Sequence, residues 1–126
     1  MQNEKIPDSS ISASTEYSSS LKAFNGRLHF LPQAGRSGAW AARKNDVYQY
    51  LQVNFGDWRK VTRVVTQGRS NYNQWVKSYS LSYGYDNVFF KDYKEDGFKK
   101  VKYCEGKYWY LYREQTLGCI KRLDKG

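Results

Sequence analysis

The stretch Gln49–Phe55 alternates in polarity, and this period of two constrains the chain more than any other feature. Leu51, Val53 and Phe55 fall on one side, and Gln52 and Asn54 on the other. Such a period fits a half-buried β-strand, because successive strand side chains point to opposite faces. Tyr79–Tyr85 repeats it, with a large residue at every odd position. Val61–Thr66 is short and rich in β-branched residues, and Val88–Phe90 follows the turn signal Asp86-Asn87. Lys99–Tyr103 and Lys107–Tyr112 are expected to form a hairpin around Glu105-Gly106. No segment carries an extended helical period. Ser18–Phe24 reads as a loop, with one serine-capped helical turn as the alternative. Short strands separated by turns define an all-β sandwich or barrel.

Composition narrows the function. The 126 residues suit one domain. An aromatic share of 17%, with 12 Tyr and 4 Trp, excludes a disordered chain. No apolar run is long enough to span a bilayer. Met1–Ser20 is polar and has no apolar core of a signal peptide, so no leader is expected within this chain. There is no Asn-x-Ser/Thr glycosylation signal. The net charge is +9, with a balance of +5 in residues 99–126 alone. A positive surface favours anionic partners: lipid headgroups, sulphated sugars or nucleic acid.

The residues for catalysis or metal chemistry are missing. A single His29 and the two cysteines, Cys104 and Cys119, do not make a zinc site. No phosphate-cradling glycine loop and no Ser-His-acid or Cys-His spacing occurs. His29 reads as a structural or surface residue of a strand. Asp92, Glu95 and Asp96 alternate with Lys91 and Lys94 and read as a solvated turn rather than an acid/base pair. No enzyme activity, cofactor or metal is expected.

Three stretches carry a resemblance. Ile6–Ser14 is similar to the opening of a discoidin domain, the module at the C-terminal end of blood-coagulation cofactors. Gly38-Ala39-Trp40 followed by Gln49–Gly56 resembles that family's central strand. Val61–Arg69 and Trp75–Tyr83 resemble the strands that follow. In order and with natural spacing, they cover residues 1 to about 98. Tyr50 stands where the family usually has Trp, and Asn54 where it has Asp. The resemblance implies a jelly-roll, galactose-binding-like β-barrel with loops projecting as spikes at one end. It also implies an incomplete barrel, because residues after Lys100 do not resemble the family's remaining strands. Residues 1–100 are therefore expected to form a partial discoidin-type domain, and 101–126 a divergent basic, aromatic tail. In that tail Leu117-Gly118-Cys119 is similar to the family's closing Gly-Cys, and Tyr108–Tyr112 has the β propensity to replace a strand. Trp109 is expected against the open side of a marginally stable sheet. Cys104 and Cys119 either pair or stay as thiols; a bridge would add ~3 kcal/mol on a chain-entropy estimate.

The resemblance also implies the site. Its binding loops map to residues 18–25, 32–45 and 67–74. The first holds Leu21, Lys22 and Phe24: either apolar groups beside a cation for a membrane interface, or core residues folded back. The second holds Arg36 and Arg43 around Gly35 and Gly38; these arginines either grip phosphate, sulphate or carboxylate or simply solubilise the loop. The third holds Arg69, Asn71, Tyr72 and Asn73, which suit a sugar ring. Trp40 and Trp75 match framework positions. The expected role is an extracellular or cell-surface adhesion module, part of a larger protein, that binds anionic phospholipid, glycan or matrix ligands. A protein–receptor module is the alternative. A nucleic-acid binder using Lys99–Tyr103 ranks below both.

Overall fold

A computed structural model describes residues 6–57, 59–61, 64–86, 88–103 and 121–122. Strand β1 (Ile11–Ala13) pairs antiparallel with β2 (Leu51–Val53), with Ile11 opposite Val53 and Ala13 opposite Leu51. The central strand is β3 (Ser78–Tyr83). It pairs with β4 (Lys91–Asp92), β7 (Val101–Tyr103) and β8 (Lys121–Arg122), all antiparallel. Between β4 and β7 lies a small hairpin of β5 (Lys94–Glu95) and β6 (Phe98–Lys99). Two single 3-10 turns, Asp8–Ser10 and Ala23–Asn25, complete the described elements.

The alternating pattern places the core. Leu51 and Val53 are buried, as are Tyr79 and Leu81, while Gln52 between the first pair is half-buried. Ile11, Ala23, Leu51, Tyr79 and Leu81 form one cluster, with Trp40, Val61, Val64 and Trp75 packed around it. Ser80 is fully buried too, so both faces of β3 are covered. It is opposed by both Val101 and Arg122, which puts β7 and β8 on opposite edges of β3.

The hairpin is an insertion into a ladder. Lys91 and Asp92 oppose Tyr83 and Ser82, and the Tyr93 N–H donates to the Leu81 carbonyl at 2.8 Å. The next residue of β3, Ser80, meets Val101. Residues 94–100 lie outside the ladder, closed at the base by the Lys100 N–H on the Tyr93 carbonyl at 3.1 Å. Asp96 and Gly97 turn its tip with φ of 51° and 80°, the two positive angles of a type I′ hairpin turn. Here the acidic neighbours pair with lysines: Lys99 with Asp92 at 3.5 Å and Lys100 with Glu95 at 2.7 Å.

Several expected elements differ. Of Val61–Thr66, the described residues belong to no strand, although Val61 and Val64 pack on the core. His29 is exposed at φ 58° in a loop rather than in a strand; histidine is among the residues that tolerate this left-handed region. In Ser18–Phe24 the chain forms a loop that leads into the 3-10 turn Ala23–Asn25, which has no side-chain cap. The hairpin expected around Glu105-Gly106, together with Cys104, Trp109 and Cys119, lies outside the described residues.

Val88–Phe90 is a capped turn instead of a strand. The Asp86 carboxylate accepts the Val88 and Phe89 N–H groups at 3.0 and 2.9 Å. A Cβ on Gly84 would clash with the Phe89 carbonyl oxygen, so this turn closes only over glycine. Val88 and Phe89 consequently face water. The Phe89 amide first, and the Val88 amide second, hold the Asp86 carboxyl below its ordinary value. Because the folded value is depressed, this cap is intact above the unfolded carboxyl's range and is lost as pH falls through the lower folded value. An NMR titration of the Asp86 carboxyl should therefore give a midpoint below that of free aspartate, with the Val88 and Phe89 amide shifts following the same curve. A normal midpoint would show that the cap does not hold in solution.

Candidate functional site

Three loops predicted to act together are joined by hydrogen bonds and close packing. The Ser37 N–H donates to the Ser20 carbonyl at 2.7 Å, and the Ala41 N–H to the Leu21 carbonyl at 3.3 Å. Asn25 links the same two loops. Its Nδ2 donates to the Ser20 carbonyl at 2.8 Å and its Oδ1 accepts from Arg36 Nε at 2.9 Å. The third loop joins at two points. The His29 N–H donates to Gln67 Oε1 at 2.9 Å. A Cβ on Gly38 would lie 3.0 Å from both Pro32 Cδ and Ser70 Oγ, so Gly38 provides the space in which the second and third loops meet. Gly35, with φ 73°, turns the tip of the second loop, where Gln33 and Arg36 exchange backbone hydrogen bonds at 2.8 and 3.0 Å.

The predicted residues separate into two groups. Leu21 is only 7% exposed and belongs to the interior, and Phe24 is half-buried against the core. The folded-back reading of these two holds, and Leu21 has no apolar surface to insert. The reason is local: the 3-10 turn that follows Leu21 buries Ala23 and Asn25 and draws the segment inward. Arg36 is occupied inside the loop cluster. Arg69 lies 3.9 Å over the centre of the Tyr72 ring and bonds Asn71 Oδ1 at 3.2 Å and Gln74 Oε1 at 3.1 Å. Its guanidinium covers one face of Tyr72, a side chain that is 54% exposed; Asn71 and Asn73 are exposed as well. Lys22 and Arg43 differ from these: among the described residues neither charged group has an ion-pair or hydrogen-bond partner. Arg43 lies on the neighbouring segment, its backbone N–H on Thr15 Oγ1 at 3.0 Å.

Two features escaped the sequence reading. Leu31, 64% exposed beside the Gln33–Arg36 turn, is the apolar group that this end presents. The signal was the tight turn itself, because a residue just outside a two-residue hairpin has little to pack against. The second feature is the exposure of three large apolar side chains, Tyr17, Val47 and Tyr48, all more than half exposed. Their backbones are held locally: the Tyr17 N–H donates to the Ala41 carbonyl at 2.8 Å, and Asp46 Oδ1 accepts the Tyr48 N–H and Gln49 Nε2 at 2.9 and 2.8 Å. The Gln49 amide first, and then the Tyr48 N–H, hold the Asp46 carboxyl below its ordinary value. Trp40, with Nε1 on the Thr15 carbonyl at 3.0 Å, and Trp75 both pack on the core as framework residues.

The charge of the loop cluster is one-sided. Residues 18–25, 32–45 and 67–74 contain Lys22, Arg36, Arg43, Lys44 and Arg69 and no Asp or Glu. Among the described residues no group of three or more His, Cys, Asp or Glu side chains is placed to hold a metal, and no helix is long and apolar enough to cross a membrane.

A mostly-strand jelly-roll with loops gathered at one end is the architecture of the discoidin fold. The solved structure of wild-type discoidin II from Dictyostelium discoideum superposes on it with a TM-score of 0.75 at 21% identity, covering 91% of this chain and 48% of that one. The F5/8 type C domain model matches residues 8–115, and the chain belongs to that family. It is similar to lactadherin of Rattus norvegicus, at 38% identity over 106 residues, or 80% of this chain and 25% of the relative. It is also 35% identical over 102 residues to hemocytin of Bombyx mori, covering 80% of this chain and 3% of that protein. The chain thus spans a quarter or less of the length of these curated relatives.

Proposed function

We propose that this chain is an extracellular binding module whose loop end engages an anionic surface, phosphatidylserine-bearing membrane first among the candidates. No catalytic step is part of this role. The observation that carries it is the set of three loop segments, whose own residues include five cations and no Asp or Glu; Asp8 and Glu16 reach in from the N-terminal segment to Arg36 and the Ala23 N–H, but among the described residues Lys22 and Arg43 are unneutralised, and Leu31 stands exposed. An apolar group that enters the headgroup region, with cations beside it, is the chemistry of a peripheral membrane contact. Family membership supports a binding role of this kind. Residues 1–100 form the module in this reading, and the basic, aromatic residues 101–126 form a tail that lends strands to β3. A glycan or matrix ligand at the same loops would use Tyr72, Asn71 and Asn73. A protein receptor is favoured by a different observation, the exposure of Tyr17, Val47 and Tyr48. Nucleic acid is the weakest reading, since Lys99 and Lys100 are already paired with carboxylates.

Co-sedimentation of the chain with vesicles of phosphatidylcholine, with and without phosphatidylserine, tests the proposal. Binding is expected only with phosphatidylserine, and it should persist at physiological salt. The double variant Lys22→Ala, Arg43→Ala should bind about thirtyfold more weakly, because each cation near an anionic bilayer contributes ~1 kcal/mol. Leu31→Ser should leave only binding that salt abolishes. If neither change matters, the membrane reading is wrong, and variants of Tyr72 and Tyr48 decide between glycan and protein.

A further inference from the structure

We infer that Arg36 is a positioning residue, whose guanidinium clasps the first two loops and holds the exposed Leu31–Gly35 tip in place before any ligand arrives. The inference rests on the loop end being the binding site and assigns Arg36 a role inside it other than anion contact. Four contacts carry it. Arg36 Cζ lies 4.5 Å from the centre of the Phe24 ring and 4.7 Å from that of Phe30. Nε donates to Asn25 Oδ1 at 2.9 Å, and Nη2 stands 3.4 Å from Asp8 Oδ2. Nε and Nη2 form the edge with which an arginine offers two parallel N–H groups to a carboxylate or phosphate. Nε of that edge is taken by Asn25, and Nη2 is buried without a hydrogen bond, within ion-pair range of Asp8, so the edge is turned into the protein and away from a ligand. The side chain is 28% exposed, whereas Arg43 is exposed and, among the described residues, unpaired.

What Arg36 holds is the tip. Its own N–H and C=O close the turn with Gln33, and its neighbour Ser37 bonds Ser20 of the first loop. One planar cation therefore spans three separate segments: Asp8 in the N-terminal 3-10 turn, Phe24 and Asn25 in the first loop, and Phe30 in the stretch between the first and second loops. Lysine cannot replace it. A lysine ammonium keeps the charge, but it has no flat face to lie over two rings and no fixed edge to meet Asn25 and Asp8 together.

The test compares Arg36→Lys and Arg36→Met with the parent chain by amide hydrogen exchange in the absence of ligand, and then by vesicle co-sedimentation. Exchange at the Gln33 and Arg36-position amides should rise about tenfold or more in both variants, with Tyr79 and Leu81 of β3 unchanged, because local opening is separable from global unfolding. Both variants should also lose vesicle binding to the same extent. Unchanged loop exchange would overturn the inference. So would a lysine variant that binds like the parent while the methionine variant does not, since charge alone would then suffice. The Met variant keeps an apolar stem beside the two rings, and the β3 amides report whether either variant is folded. If the parent chain itself fails to bind vesicles, the membrane reading falls and the exchange result alone decides the role of Arg36.

Discussion

Truncating Tyr79 to alanine is expected to cost about 4 kcal/mol of stability, the range for removing a large ring from a packed core. Tyr79 is 1% exposed and is the largest fully buried side chain of the described residues. It sits on the central strand, in the cluster with Ile11, Ala23, Leu51 and Leu81. Small domains have a total stability of roughly 5–15 kcal/mol, so this single change removes a large share of it. The midpoint of urea unfolding, followed by tryptophan fluorescence, measures the effect. Tyr79→Phe is the control: it keeps the ring and should cost only about 1 kcal/mol, the usual contribution of one hydrogen-bonding hydroxyl. A loss below about 1 kcal/mol for the alanine variant would mean that the ring does not fill a tight core.

Asp8→Ala is expected to cost about 3 kcal/mol, because it leaves a charge in the interior without its counter-ion. The Arg27 side chain is only 2% exposed, and its Nη2 lies 2.7 Å from Asp8 Oδ1. The same nitrogen also donates to the Ile6 carbonyl at 2.8 Å. That carbonyl remains after the substitution, and Asp8 is itself half in water, so the cost falls at the low end of the range for a broken buried pair. A second change isolates the cause. In the background of Asp8→Ala, replacing Arg27 by Met removes the stranded charge and should recover most of the loss, to within about 1 kcal/mol of the parent. If the double variant is instead less stable than Asp8→Ala, the guanidinium contributes through its packing rather than through the pair. Asp8 also faces Arg36, so its removal should loosen the second loop, which ties the stability of the N-terminal segment to the order of the site.

The fold was legible where burial and period agree. Leu51 and Val53, and Tyr79 and Leu81, alternate in sequence and are buried in the structure, because a strand places alternate side chains on one face. The three loops were legible through likeness to a family with the same frame. Individual side chains within those loops were not. Leu21 and Leu31 are the same residue type in similar surroundings, yet one is buried and the other exposed. The difference comes from the 3-10 turn after Leu21 and the tight hairpin after Leu31. Val88-Phe89 has the propensity of a strand, but Asp86 ties up both backbone amides and Gly84 lets the chain close behind them. Propensity lost here to a local side-chain cap.

The amino-acid order by itself determined the β architecture, the family, the excess of positive charge and the absence of carboxylates from the three loops. All of these are properties of composition and of near-neighbour spacing. Only the tertiary structure decided which cations are free to meet a ligand. Arg27 and Arg36 share the one carboxylate of Asp8, which is 19 positions from Arg27, and Arg69 is held by its own loop, while among the described residues Lys22 and Arg43 have no ion-pair partner. The physical reason is that a guanidinium's availability depends on partners brought near by folding, and partners distant in sequence leave no local pattern to read.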